Sequence, residues 1–443
     1  MLKERDMRIS SEAKKALTVS FKLAVLLLSL FLLALNNSLA MGRVLAVLLL
    51  VISFLNLWKS RNSIVFCVIF GFIFYCNYSI CMVDYLNVLE GNFFTQWAYE
   101  PVSYKAIGIL YLFNLILFLF SPKKKEMAKS SELSFFKREY YNPIIAWVAI
   151  FMALAMWFLG FSLGDSGVRG ETSPIYEYAI ILILFAFIYS GGNKIIVLAD
   201  LAVVAFFCFF DLYSGNRAVA IQLVIMVFIV MISGGNKFKF KRVFPLIIIG
   251  LILFTVVGQI RGSTDFGWEM IQNAWKLLTT ESFSLDTAYS AYYTSLTFIK
   301  VGESLTLETR LSMFVSFLKG IVQGFGSKEA NLPIFTLDYY NHYGGGLIPL
   351  YFNFYLGILG VVLIGLYISF LLNKLCWSKS LFGRVAITYI ACTIPRWYLY
   401  SPSTCLRGLL FVVIISIMCH IFNSVIHFTK TKRNSKKFLN KSK

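Results

Sequence analysis

The sequence predicts an all-α, polytopic integral membrane protein, on three observations. Hydrophobic residues make up 58% of its 443 residues and charged residues only 14%, against roughly 45–50% and about 25% in an ordinary soluble chain. Apolar runs recur along the chain, most of them close to the roughly 20 residues that cross a bilayer. Lys and Arg gather in alternate connections between those runs, as the positive-inside rule requires.

About twelve transmembrane helices are expected, near Leu17–Leu35, Met41–Trp58, Ser63–Val83, Tyr104–Phe120, Pro143–Phe161, Tyr176–Tyr189, Ile195–Leu212, Ala218–Ile232, Val243–Val257, Gly346–Leu372, Phe382–Tyr400 and Leu409–Phe428. The shorter ones borrow flanking residues. The first resembles the apolar part of a signal peptide followed by "NNSLA"; a second span begins at once, so it reads as an uncleaved signal-anchor. The eight cysteines fall mostly inside spans with no metal-ligand spacing, which points to packing rather than to a disulfide framework.

With the N-terminus inside, 28 of the 41 Lys and Arg and six of the 22 acidic residues lie on the cytoplasmic side, a net charge of +22 against −3 outside. Both termini are therefore expected in the cytoplasm. This balance accounts for the basic tail 429–443 as a retention signal that touches anionic lipid, so no nucleic acid is needed as a partner. Residues 121–142 form a basic cytoplasmic linker within what is otherwise a single transmembrane domain, 1–443.

Residues 261–345 make one long external segment between the ninth and tenth spans. "FGWEMIQNAWKLLT" sets Trp268, Ile271, Trp275 and Leu278 on one helical face, and "RLSMFVSFLKGIV" does the same with Leu311, Phe314, Phe317 and Leu318. Both read as interfacial helices capping the bundle. The 15 aromatic residues between Arg261 and Gly345 suit either sugar stacking or the protein's own core.

No P-loop, GxGxxG unit, HExxH, DxD pair or Cys/His cluster occurs in the sequence, which argues against ATP hydrolysis, a dedicated metal site and any cofactor. What remains is a set of arginines at the outer ends of spans. Arg217 follows a Gly-Asn turn in "SGNRAVA" at a helix N-terminus, Arg261 ends the ninth span, and Arg396 and Arg407 bracket the last external turn, "IPRWYLYSPSTCLRG". A guanidinium there is costly unless it faces a cavity or a partner, and a phosphate or diphosphate is the partner its geometry fits; the other reading is snorkelling to lipid phosphate. Pro395 should loosen the helix beside Arg396 and free backbone groups onto a polar cavity. His342, in "DYYNHYGGGLIPLYFNF", is the outer-face imidazole and suits a general base or a diphosphate contact, or is simply an exposed loop residue. Asp338 and Glu303 are the next candidates for the base.

Taken in order, "SGNRAVAIQLVI", "NHYGGGLIPLYFNFYLGILG" and "PRWYLYSPSTCLRG" resemble the O-antigen or oligosaccharide repeat-unit polymerases of bacterial surface-polysaccharide assembly, the Wzy-type family. The similarity covers residues 140–428 in pattern. It implies a GT-C-like membrane glycosyltransferase in the bacterial cytoplasmic membrane, working on its periplasmic face on polyprenyl-diphosphate-linked glycans. It further implies that Arg217, Arg261 and Arg407 hold the diphosphate, that His342 and Arg396 lie near the reacting sugar, and that Asn353, Asp338 and Glu303 belong to the substrate site. A chain-length regulator and a flippase of the same pathway are the implied protein partners, with membrane lipids around the spans. A lipid-linked oligosaccharide ligase is the nearest alternative, and a flippase or transporter the alternative of a different class; the latter would show two similar halves, and no internal repeat is visible.

Overall fold

The computed structural model describes residues 2–86, 100–130, 135–161, 173–213, 217–233, 286–324, 326–342, 344–378 and 380–441. Among them the chain is helical, without a strand. The main helices, in order, are α1 (Leu2–Ala34), α2 (Leu39–Ser60), α3 (Ile64–Ile80), α4 (Glu100–Phe120), α5 (Lys124–Ser130), α6 (Pro143–Gly160), α7 (Pro174–Glu177), α8 (Ala179–Tyr189), α9 (Lys194–Tyr213) and α10 (Arg217–Ser233). There follow α11 (Asp286–Ser304), α12 (Leu307–Gln323), α13 (Leu332–Leu337), α14 (Ile348–Leu356), α15 (Ile358–Cys376), α16 (Leu381–Cys392), α17 (Ile394–Leu399) and α18 (Ser403–Lys441).

Eight of these helices carry segments long and apolar enough to cross a membrane, and three shorter apolar ones accompany them at Ile175–Tyr189, Ala218–Ser233 and Leu381–Cys392. Their outward faces are apolar too: Leu17, Phe21, Leu27 and Phe31 on α1, and Phe158 and Leu159 on α6, are exposed. Surfaces of that kind are stable against lipid rather than water. The fold is that of a multi-pass membrane protein. The sequence-expected span Val243–Val257 and the helix expected at 266–279 lie outside the described residues.

Polar side chains tie the spans together inside the bundle, where each hydrogen bond replaces an otherwise unsatisfied group. Asn77 Nδ2 donates to Ser53 Oγ at 2.8 Å, Asn56 Nδ2 to the Asn114 carbonyl at 3.3 Å, and Ser53 Oγ to Asn114 Oδ1 at 3.4 Å. All four residues are buried. They join α2, α3 and α4.

Cross-helix contacts sort the helix ends into two groups. Lys59 Nζ donates to the Phe118 and Ser121 carbonyls, Asn373 Nδ2 to Phe120, Asn142 Nδ2 to Asn423 Oδ1, and the Arg384 guanidinium lies over the Tyr140 ring. This is the basic end. At the other end Asn36 reaches the Tyr104 carbonyl, Arg43 the Tyr85 carbonyl, and Gly346 the Leu399 carbonyl. Among the described helices the ends alternate between the two groups.

Two expected spans are interrupted. Gly346–Leu372 breaks at Gly357, whose φ of 64° is open to glycine and strained for other residues, leaving the nine-residue α14 followed by α15. Phe382–Tyr400 breaks at Thr393 into α16 and α17 because Pro395 has no N–H to continue the ladder. The carbonyls at this break do not open onto a cavity, contrary to expectation. Thr393 Oγ1 donates to Tyr389 O at 2.6 Å and the Trp397 indole to Ile390 O at 2.9 Å, both in the buried core. The indole thus takes the Ile390 carbonyl, while the Tyr389 carbonyl keeps its backbone donor, the Thr393 amide at 3.0 Å, and gains the hydroxyl.

Within the long segment, α12 confirms the helix expected around 310–322, but its buried face is turned. Met313, Phe317, Gly320 and Ile321 are buried while Leu311 and Leu318 are exposed. Phe314 and Phe317 pack edge-on and tilted against Phe352 and Tyr355 of α14, which fixes the rotation. Arg310 Nη1 donates to the Phe354 carbonyl at 3.3 Å, near the negative end of α14.

Candidate functional site

At the end opposite the basic one, α7, α12, α13, the Gly344–Gly346 loop, α17 and the start of α18 enclose a cavity of about 330 Å³. Its charged lining, among the described residues, is Arg396 and Glu177; Tyr351, Tyr400, Ser401, Ser403, Thr404 and Asn331 add hydroxyl and amide groups.

Glu177 arrives there through a local arrangement that the sequence states quietly. Gly160 ends α6, and the Ser173 amide donates to its carbonyl at 2.7 Å. A Cβ on Gly160 would lie 2.5 Å from Ser173 Oγ and 3.0 Å from Tyr176 Cβ, so only glycine admits this crossing. Ser173 and Pro174 then start α7 with a cap and a preset φ. Tyr176 stacks on Phe207 with centroids 5.4 Å apart, which leaves Glu177 next along the chain to face the cavity.

Arg396 comes from α17, the short helix beyond the Pro395 break. Its Nη2 pairs with Glu177 Oε1, and its Cζ lies 5.6 Å from the Tyr400 ring centroid. Both partners are largely enclosed, with side chains 15% and 24% exposed. An opposite-charge pair so placed is screened less than a surface pair. Arg407, four residues beyond Ser403 on α18, lies within hydrogen-bonding reach of the Tyr178 hydroxyl. The two arginines that bracket the turn between α17 and α18 therefore meet residues 177 and 178 side by side.

The opposite wall is the triple-glycine loop. Gly345 has φ 82° and sits so close that a Cβ would be 2.8 Å from the Leu399 carbonyl. The Gly346 amide donates to that same carbonyl at 2.7 Å, Thr294 Oγ1 to Gly344 O at 3.2 Å, and the Leu347 amide to Ser295 Oγ at 2.7 Å. Two helices, α11 and α17, thus hold the loop in place.

His342 anchors this loop from behind. The Gly344 amide donates to its Nδ1 at 3.1 Å, so the ring proton sits on Nε2 and points at Thr336 Oγ1, 2.9 Å away. The Thr336 hydroxyl in turn donates to the Leu332 and Pro333 carbonyls. Burial pushes the imidazole below its ordinary value of 6.5, and the neutral form is the one this geometry uses. Both ring nitrogens are engaged within the protein, and of this group Gly344, rather than the ring, lines the cavity.

The remaining expected residues divide. Arg217 opens α10, and the Tyr176–Phe207 stack together with the facing of Tyr176 and Asp211 sets the end of α9 at the Glu177 end of the bundle. The start of α10, four residues on from the end of α9, lies at that end; α10 also packs against α17. Arg261 lies outside the described residues. Asp338 pairs with Lys328 at 3.0 Å on the surface, and Glu303 pairs with Lys105; neither lines the cavity. Asn353 sits in α14, where its carbonyl accepts from the Gly357 amide at 2.9 Å. The residue that sequence reasoning missed is Glu177. Its signal was the Ser-Pro helix start at the sixth expected span, which carries no chemistry by itself.

Comparison of the chain with protein-family models, with curated proteins and with solved structures finds no match.

Proposed function

We propose that this protein is a membrane glycosyltransferase that polymerises polyprenyl-diphosphate-linked oligosaccharide repeat units into a surface polysaccharide, on the outer face of the bacterial cytoplasmic membrane. The observation that carries the reading is the cavity at the end of the bundle away from the Lys59, Lys374 and Arg384 cluster, with Arg396 in its wall, Arg407 beside it and the start of α10 at Arg217 on the same end. In this reading the chain crosses twelve times in a GT-C-like arrangement, Val243–Val257 supplies the ninth span, and the shorter apolar helices cross with flanking residues.

Breaking a sugar–diphosphate bond develops negative charge on the leaving group. Preorganised guanidinium groups in an enclosed site stabilise that charge more than they stabilise the intact donor. Arg396, Arg407, Arg217 and Arg261 are the residues proposed for this work, and the fixed loop Gly344–Gly346 shapes the opposite wall. A volume near 330 Å³ is at the small end of ligand cavities, about 300–1,000 Å³, and suits the diphosphate and the reacting sugar, with the rest of the glycan outside. Tyr400, a partly buried aromatic in its lining, offers a ring for the sugar.

The test is a deletion strain with gel analysis of lipid-linked and surface glycans, followed by assay of the purified protein on a synthetic lipid-linked repeat unit in excess EDTA. A surface glycan capped at one repeat, and elongation that survives the chelator, are expected. Loss of all surface glycan attachment with normal chain lengths on lipid would instead identify a ligase.

A further inference from the structure

We infer that Glu177 is the catalytic base of this site, held by Arg396 until the diphosphate of the donor takes the arginine over. The inference rests on the polymerase reading above and adds the residue and the trigger which that reading lacks.

A base must lie within hydrogen-bond reach of the hydroxyl it deprotonates, and the acceptor hydroxyl has to enter the cavity to meet the donor sugar. Among the described residues Glu177 is the carboxylate that lines it. His342 spends one nitrogen on the Gly344 amide and the other on Thr336. Asp338 and Glu303 are paired with lysines away from the cavity.

Glu177 in its resting pair is a poor base, since an adjacent guanidinium favours the charged carboxylate. A diphosphate carries more negative charge than a carboxylate and presents several oxygens to the guanidinium fork, so it competes well for Arg396. Once Arg396 turns to the diphosphate, Glu177 is left in a mostly enclosed wall without that guanidinium, and its affinity for a proton rises. Donor binding thereby arms the base. In the step itself, the acceptor oxygen bonds to the anomeric carbon of the donor while the bond from that carbon to the diphosphate oxygen breaks. The bond's electron pair leaves with the diphosphate, and the hydroxyl proton passes to Glu177. Departure of the polyprenyl diphosphate returns Arg396 to Glu177, and the proton goes to water.

The arrangement makes two effects of one substitution run in opposite directions, which a purely structural ion pair would not. In nanodiscs, full-length Glu177→Gln, with a normal size-exclusion profile, should bind polyprenyl diphosphate more tightly, by about 3- to 10-fold, because Arg396 no longer has a competing carboxylate. Its elongation of a synthetic lipid-linked repeat unit should fall by about 100- to 10,000-fold. Glu177→Asp should keep part of the turnover with a shifted pH profile. Weaker or unchanged diphosphate binding in Glu177→Gln, or elongation within tenfold of wild type, overturns the inference. A wild type that binds the diphosphate and elongates nothing refutes the polymerase reading and the base role with it. Tighter binding in the variant then tells that failure from failure of the pair.

Discussion

The imidazole of His342 accepts the Gly344 amide at Nδ1 and presents Nε2 to Thr336, so this histidine serves as the pin of a cavity wall. Protonation at Nδ1 would turn an acceptor into a donor facing another donor, and the loop would come away. Because burial holds the folded imidazole below 6.5, the unfolded chain takes up the proton first as pH falls. The stability contributed by the neutral ring is complete above about pH 6.5 and is lost as pH drops toward the folded value. Thermal unfolding of wild type in nanodiscs should therefore weaken below about pH 6.5 more steeply than that of His342→Ala, which should also elongate poorly at every pH. Parallel pH curves for the two proteins would separate the ring from the loop.

Arg217 combines a fixed charge, a forked donor and a place at the start of α10, whose N-terminus favours anions. Lysine reproduces only the charge. Arg217→Lys should be strongly impaired and Arg217→Ala lower still, by roughly 100- to 1,000-fold in turnover at saturating donor, the usual loss for one donor to a developing oxyanion. Retention of more than about a third of wild-type turnover by Arg217→Ala would leave lipid snorkelling as its role.

Much of the bundle was legible because a bilayer imposes a single length scale and a charge rule. Apolar runs become the helices, and the alternation of charge matches the sorting of helix ends by Lys59, Asn142 and Asn373 on one side and Asn36, Arg43 and Gly346 on the other. The breaks at Gly357 and Thr393 were only half legible. Pro395 announced the second, but whether its freed carbonyls meet a cavity or a buried indole depends on where Trp397 packs, which no local pattern encodes. The closing arginines stood out because charge is rare in spans. Glu177 did not, since a glutamate at a helix start is commonplace, and only the contact between α7 and α17 gives it meaning. The rotation of α12 failed for a related reason: an apolar residue facing lipid and one facing protein look alike in a membrane sequence.

Orientation admits a direct check. Reporter fusions after Lys239 and Lys436 should read cytoplasmic, and fusions near Glu303 and Ser401 should read external, the side of the cavity. A cytoplasmic signal at Glu303 would put the site on the wrong face for lipid-linked donors and end the polymerase reading.

The three glycines of the wall offer a contrast within a single loop. Gly344 and Gly345 share nearly the same φ, 81° and 82°, a positive value that costs alanine at either position about 1–2 kcal/mol. Their surroundings differ. A Cβ on Gly344 meets nothing within 4 Å, whereas one on Gly345 would sit 2.8 Å from the Leu399 carbonyl and 3.2 Å from Tyr400 Cδ1. A backbone carbonyl cannot rotate away as a side chain does, so the loop itself has to move, and it would carry the Gly346–Leu399 hydrogen bond and the Tyr400 ring over which Arg396 lies. Gly344→Ala should therefore lose some thermal stability while retaining most of its elongation activity. Gly345→Ala should lose at least about tenfold in turnover, as ångström-scale misplacement at a reacting site typically does, with the protein still inserted and monodisperse. The measurement is turnover of each variant on the synthetic lipid-linked repeat unit, normalised to folded protein by size-exclusion profile. Equal activity in the two would show that the wall opposite Arg396 does not position the donor.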